Sequence, residues 1–152
     1  MKIRDFQDSD AEQVCEIIRR CDKEISSRDY PPEIIEWRVS KLKPEYIIAK
    51  SKNKKCLVAV LNKKVVGYIS LDNDEIKKLH VNPEYHHMGI GKKLLQEIEK
   101  FAVKNKISKL VVESSIYAEK FYEKFGFKKI EIRDCEYKGT KFKLIFMEKK
   151  LK

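Results

Sequence analysis

The sequence predicts an α/β protein with a mostly antiparallel mixed sheet of about seven strands and one crossover near its middle. Three observations predict it. The segments CLVAVLN (56–62), VVGYISL (65–71) and EIKKLHV (75–81) follow one another with turns only long enough for antiparallel neighbours. A helical stretch to about Lys104 then leads into KLVVES (109–114), a short apolar run suited to a buried strand. Last, FKKIEIRD and KFKLIFME bracket the turn Lys138-Gly139 and read as a closing hairpin.

The remaining elements follow in order. KIRDF (2–6) reads as a first strand. Ser9 with Glu12 three residues on is a capping box, and Ala11, Val14, Cys15, Ile18 and Cys21 supply the apolar stripe of the helix it opens. SSRDYPP (26–32) ends that helix. Pro32 begins a second one carrying Ile34, Ile35, Trp37, Val39 and Leu42, which Pro44 stops. EYIIAKSKNKK reads as a short helix and a loop, and Lys63-Lys64 as the first hairpin turn. In the long helix Leu94, Leu95, Ile98, Phe101 and Ala102 face inward. IYAEKFYEKF (116–125) is helical, with Gly126 at its C′ position.

Bulk properties narrow the class. A chain of 152 residues with 42% apolar content is expected to be one domain, residues 1–152, with one sizeable core. It has no apolar run near membrane-spanning length, and its charged start lacks the apolar region of a secretory signal, so a cytoplasmic location is expected. Cys15, Cys21, Cys56 and Cys135 have neither C-x-x-C pairing nor metal spacing and are expected to stay reduced. The net charge of +10 suits a polyanionic partner, which includes a phosphorylated cofactor as well as nucleic acid. A lysine–glutamate surplus also occurs in heat-adapted proteins, and composition alone does not separate these readings.

The stretch NPEYHHMGIGKKLL (82–95) puts two of the chain's five glycines where a strand gives way to a helix. A Walker A loop fails, because His86 stands where its first glycine belongs and Lys93 at its last position. A dinucleotide fingerprint fails at Leu94, where the third glycine would stand. What remains is a strand, a turn, Gly-x-Gly and a helix start. There the amides of Met88 to Lys92, the helix dipole and Lys92 or Lys93 could hold a pyrophosphate. A tight turn in which glycine only avoids a clash explains the same spacing. His80, His86 and His87 lie close in sequence, but adjacent residues project apart and no further Cys or His completes a site, so no metal is expected. His86 is expected to shape the turn or face phosphate.

In SSIYAEKFYEKFGF (114–127), Ala118, Phe121, Tyr122 and Phe125 form a helical stripe. Tyr122 is either a core residue with a satisfied hydroxyl or a proton donor, since a phenol titrates near 10.

LHVNPEYHHMGIGKKLL resembles the cofactor motif Q/R-x-x-G-x-G/A of the GCN5-related N-acetyltransferase (GNAT) family. AEKFYEKFGF resembles that family's next motif, A-x-x-F-Y-x-x-x-G-F. The element order is similar across essentially the whole chain. The resemblance implies a GNAT-like sheet flanked by helices and acetyl-CoA as co-substrate, without a metal. It also implies an amine as acceptor, with direct attack on the thioester. It implies that Leu79, His80 and Val81 pair with the pantetheine arm and that the amides of His87, Met88, Gly89, Ile90, Gly91 and Lys92 cradle the pyrophosphate. Tyr122 would protonate the departing sulfur, and Glu75 aligns with a strand position used by some members for a general base. The sequence departs from the family at His86, where glutamine or arginine is usual, and at Ser115, where asparagine is frequent. Ser115 would offer a shorter hydroxyl contact to the cofactor.

Two other readings compete: a non-catalytic basic module binding nucleic acid, and a CoA-binding sensor. The lysines are scattered over every element and no RNA-binding aromatic motif is present, which disfavours the first. The acceptor is not legible. In the family it is shaped by segments equivalent to about 21–43 and 128–146. Asp22, Glu24, Asp29 and Glu33 there are read as solvated surface, with attraction of a cationic amine as the alternative. A homodimer is common in such folds, and nothing in the chain fixes it.

Overall fold

A computed structural model describes residues 1–152. The chain builds a seven-stranded sheet in the order β1-β2-β3-β4-β5-β7-β6. Its strands are β1 (Lys2–Asp5), β2 (Lys55–Leu61), β3 (Lys64–Asp72), β4 (Glu75–Val81), β5 (Lys109–Ser114), β6 (Lys128–Tyr137) and β7 (Thr140–Lys150). The helices are α1 (Ala11–Glu24), α2 (Pro32–Ser40), α3 (Pro44–Ser51), α4 (Ile90–Lys104) and α5 (Glu119–Lys124).

Alternation along the central strands feeds two cores, one on each face. Leu57, Ile69, Leu71 and Ile76 point to α4, where they meet Leu94, Leu95 and Ile98 together with Met147 and Tyr122. Val58, Val65 and Tyr68 point the other way, to Val14, Cys15, Ile18 and Cys21 of α1 and Ile47 of α3. All four cysteines are free, and Cys15, Cys21 and Cys56 are buried. No helix is long and apolar enough to cross a membrane.

Every strand neighbour is antiparallel except β4 with β5, and that one parallel pairing is brief. It joins Glu75 to Val111 and Ile76 to Val112 and then ends. From Lys77 onward β4 keeps β3 on one side, as far as Gly67 opposite Val81, and has no strand on the other. β5 instead turns to β7 along its whole length. The two middle strands therefore splay apart, and the main chain of Leu79 to Val81 borders the opening.

Local details correct several expectations. The Ser9–Glu12 capping box does not form. A 3-10 turn covers Asp8–Asp10, and the buried Asp10 carboxylate accepts the Gln7 N–H at 2.8 Å and both Arg4 guanidinium nitrogens at 2.8 and 3.0 Å. Burial alone would raise the Asp10 carboxyl, but the Arg4 fork and the Gln7 amide hold it below its usual range. Pro44 does not merely stop α2, which ends at Ser40; it occupies the first turn of α3, where its missing N–H costs nothing. The first hairpin turns at Asn62-Lys63 rather than Lys63-Lys64. Both residues take positive φ (50° and 67°), and asparagine tolerates that conformation well. α5 starts at Glu119, later than 116, because the Ser115 hydroxyl accepts the Ala118 N–H at 3.2 Å and holds the approach as a turn.

Candidate active site

The loop after β4 is fixed at its root. Asn82 Oδ1 accepts the Glu84 N–H at 3.0 Å and Arg20 Nη1 at 3.1 Å. Arg20 also pairs with Glu84 at 3.2 Å and Glu24 at 2.7 Å, so α1 clamps the loop. The next amides are used within the chain: Tyr85 N–H to Asn82 O at 2.8 Å and His86 N–H to Pro83 O at 3.4 Å. Main-chain bonding then stops. It resumes with Lys93 N–H to Gly89 O at 3.1 Å, the first bond of α4. From His87 to Lys92 no backbone N–H has a partner in the chain, and α4 has no side-chain cap. A helix start with open donors, two exposed lysines and no acid in its first turn favours an anion.

The two glycines have different reasons. Gly89 sits at φ +78° with open space around it, so its requirement is conformational. Gly91 is helical, but a Cβ there would meet the Phe121 ring at 3.2–3.3 Å, so its requirement is close packing of α4 on α5. His87 also adopts a positive φ, 64°, which turns its amide into the run.

Of the two roles expected of His86, its side chain takes up the one that shapes the turn. Its Nε2 donates to the Val81 carbonyl at 2.7 Å, drawing the imidazole back to the strand. The Cys21 thiol donates to that same carbonyl at 3.2 Å. The Val81 oxygen is thus engaged twice, which leaves any pairing with a pantetheine arm to the other main-chain groups of the segment. Burial pushes the Cys21 thiol up to about 12, so it stays a thiol and a donor. His80 pairs in register with Tyr68, and its side chain lies on the α1 and α2 side. Burial and then the charges of Arg38 and Lys78 push it down to about 3, so it is a neutral imidazole.

Tyr122 is buried, and its ring meets Phe121 and Phe127 edge-on at 5.3 and 5.2 Å. Burial alone raises its phenol well above the ordinary value; no hydrogen bond or neighbouring charge contributes. The ring is therefore part of the core, while the hydroxyl is protonated and unpartnered. Glu75 stands at the closed end of the splay, opposite Val111, and pairs with Lys77 at 3.2 Å. Ser115 uses its hydroxyl oxygen to cap the turn into α5, and its proton stays free to donate to a ligand. No group of three or more His, Cys, Asp or Glu residues could hold a metal ion.

Asp22 differs most from its expected place. It is not solvated surface but 1% exposed, beneath α1. Arg38 at 3.2 Å is its ion-pair partner. Arg20, Asn82 and Arg38 drew no attention in the sequence, since charged residues on helices are usually solvated; the one available signal was Asp22 following the apolar position Cys21.

A splayed parallel pair whose opening leads to an unsatisfied helix N-terminus, with a protonated phenol on the following helix, defines an acyltransferase of the kind that takes its acyl group from a nucleotide-bearing thiol carrier. Comparison with known proteins makes this specific. The Acetyltransferase (GNAT) domain family matches residues 27–151. The N-acetyltransferase YafP of Escherichia coli K12, itself uncharacterized, is 32% identical over 99% of this chain and 96% of its own length. A GCN5-related N-acetyltransferase from Rhodopseudomonas palustris superposes with a TM-score of 0.91 at 26% identity, covering 99% of this chain and 95% of that one. The PaiA N-acetyltransferase of Thermoplasma acidophilum, solved in complex with coenzyme A, gives 0.80 at 28% identity over 98% of each chain. The chain belongs to the GNAT family and is an acetyl-CoA-dependent N-acetyltransferase.

Proposed function

We propose that this transferase delivers the acetyl group to a primary amine by direct attack, with main-chain donors doing the cofactor binding and Tyr122 and Glu75 handling the protons. The observation that carries the reading is the uninterrupted run of free amides from His87 to Lys92. Hydrogen bonds from such amides to a charged acceptor contribute about 1.5–3 kcal/mol each, and the helix start adds about 0.3–1 kcal/mol per charge. The residues fit a diphosphate: the donors are contiguous, and Gly89 leaves the approach clear.

Acetyl-CoA supplies the thioester carbon that the acceptor nitrogen attacks; a C–N bond forms and the C–S bond breaks. Along Leu79 to Val81 the strand offers main-chain groups to the pantetheine arm. A free N–H there polarises the thioester carbonyl. The Tyr122 hydroxyl, held protonated in its apolar setting, gives its proton to the sulfur as the bond breaks. Freeing a lysine-like amine of pKa ~10.4 at pH 7 costs roughly 4.6 kcal/mol, so the amine proton needs an acceptor. Glu75, directly or through water, takes it at the closed end of the splay.

Thermal unfolding with and without acetyl-CoA, paired with thiol release over a panel of amines, tests the reading. At about 100 times its Kd, acetyl-CoA should add about 2.7 kcal/mol of stability. No stabilisation at saturating ligand would count against the cradle.

A further inference from the structure

The α1 and α2 side of β4 holds polar side chains that the chemistry above leaves unused. Asp22 comes from the last turn of α1, Arg38 from the last turn of α2, and Lys78 and His80 from β4. Asp22 is 1% exposed, and its Oδ1 has no hydrogen-bond partner. Arg38 Nη2 lies 3.2 Å from that oxygen without the alignment of a hydrogen bond. The half-buried guanidinium therefore keeps its donors open. Lys78 also lacks a close carboxylate; its ammonium lies 5.7 Å from the centre of the Tyr46 ring, with Lys50 and Lys54 as further cations nearby.

The charges do not balance. Arg38 and Lys78 face the single carboxylate of Asp22, Lys50 and Lys54 add positive charge beside Lys78, and the groups respond accordingly. Lys78 falls to about 8, through burial and then its cationic neighbours. His80 is neutral for the same causes, while burial raises Asp22 against the pull of Arg38 and Lys78. Partly buried charges normally find partners, and an unpaired buried oxygen is costly. Two things are missing: an anion for the cations and an N–H donor for Asp22. The group also flanks the splay. His80 lies on the stretch of β4 that has lost β5, and Cys21, beside Asp22, reaches the Val81 carbonyl.

We propose that this group is the acceptor pocket and that the acceptor is an amino acid, with Arg38 and Lys78 holding its carboxylate and Asp22 Oδ1 accepting from its amine before transfer. This rests on the thioester lying along Leu79 to Val81, as proposed above; the bonds made and broken are unchanged. A guanidinium matches a carboxylate with paired N–H donors. A polyamine would meet the surplus cations and be repelled.

The test uses acetyl-CoA with L-amino acids, their carboxamides, their decarboxylated amines and a polyamine, and reads kcat/KM. The acids should exceed their carboxamides by about 10- to 100-fold, the range of one charge-assisted contact. Arg38→Gln should erase that preference by a similar factor while acetyl-CoA stabilisation is retained; Arg38→Lys should restore part of it. Asp22→Asn, nearly isosteric, should raise KM more than it lowers kcat. A second readout needs no transfer. The His80 imidazole resonance of the CoA-loaded protein should move on titration with an amino acid and stay still with its carboxamide. Preference for carboxamides or polyamines, or an unmoved His80 resonance, would overturn the proposal. Loss of acetyl-CoA stabilisation alone would strike the cofactor reading instead, and the same His80 titration on the free protein would still decide the pocket.

Discussion

The two sides of the splay are built from different materials. The proposed cofactor side, residues 82–92, offers main-chain N–H groups, and its side chains mostly point elsewhere: His86 back to Val81, Met88 into solvent. The proposed acceptor side offers side chains brought together from α1, α2 and β4. A main-chain site demands conformation and tolerates exchange of exposed side chains. A side-chain site demands identity at each position. The first can be shared across a family with many acceptors, and the second can vary from member to member.

This difference can be broken or sharpened by substitution. The largest effect is expected at Tyr122: Tyr122→Phe should lower turnover ~100-fold or more while acetyl-CoA affinity stays similar, read by steady-state kinetics and titration. An unchanged turnover would return Tyr122 to the core alone. Next comes Gly91→Val, which drives a branched side chain into the Phe121 ring and should weaken acetyl-CoA binding about tenfold or more. Gly89→Ala strains a positive φ and should cost about 1 kcal/mol in denaturant unfolding, with a smaller loss of affinity. Met88→Ala, whose side chain is 59% exposed, should leave affinity within about twofold if main-chain groups do the binding.

A separate prediction concerns acid stability. His80 sits near 3 in the folded chain, against an ordinary value of 6.5. Between those values the unfolded chain binds more protons, so this contribution is whole above about pH 6.5 and is lost as the pH falls toward 3. His80→Gln should flatten the fall of Tm with acid by about 2–8 °C. An unchanged slope would mean that neither burial nor the charges of Arg38 and Lys78 hold this ring neutral.

The same division explains what the sequence disclosed. The order of elements was legible because the periods of two and of 3.6 are local. The cradle was legible because Gly89 and Gly91 stand at a strand-to-helix join within a few residues. Boundaries failed where side chains competed with the main chain: Asp10 closed a 3-10 turn on Gln7 in place of the Ser9–Glu12 box, and Ser115 delayed α5. The sequence left two roles open for His86, because nothing local announces that the Val81 carbonyl lies within reach. Asp22, Arg38, Lys78 and His80 were illegible as a group because they meet only after α1 and α2 fold over β4.

The most direct measurement is an amide NMR titration of the protein with acetyl-CoA. The backbone resonances of His87 to Lys92 should shift together and saturably, with those of Tyr85 and His86, already bonded within the chain, moving less. If the run from His87 to Lys92 stayed in place while acetyl-CoA bound elsewhere, the main-chain cradle would be contradicted.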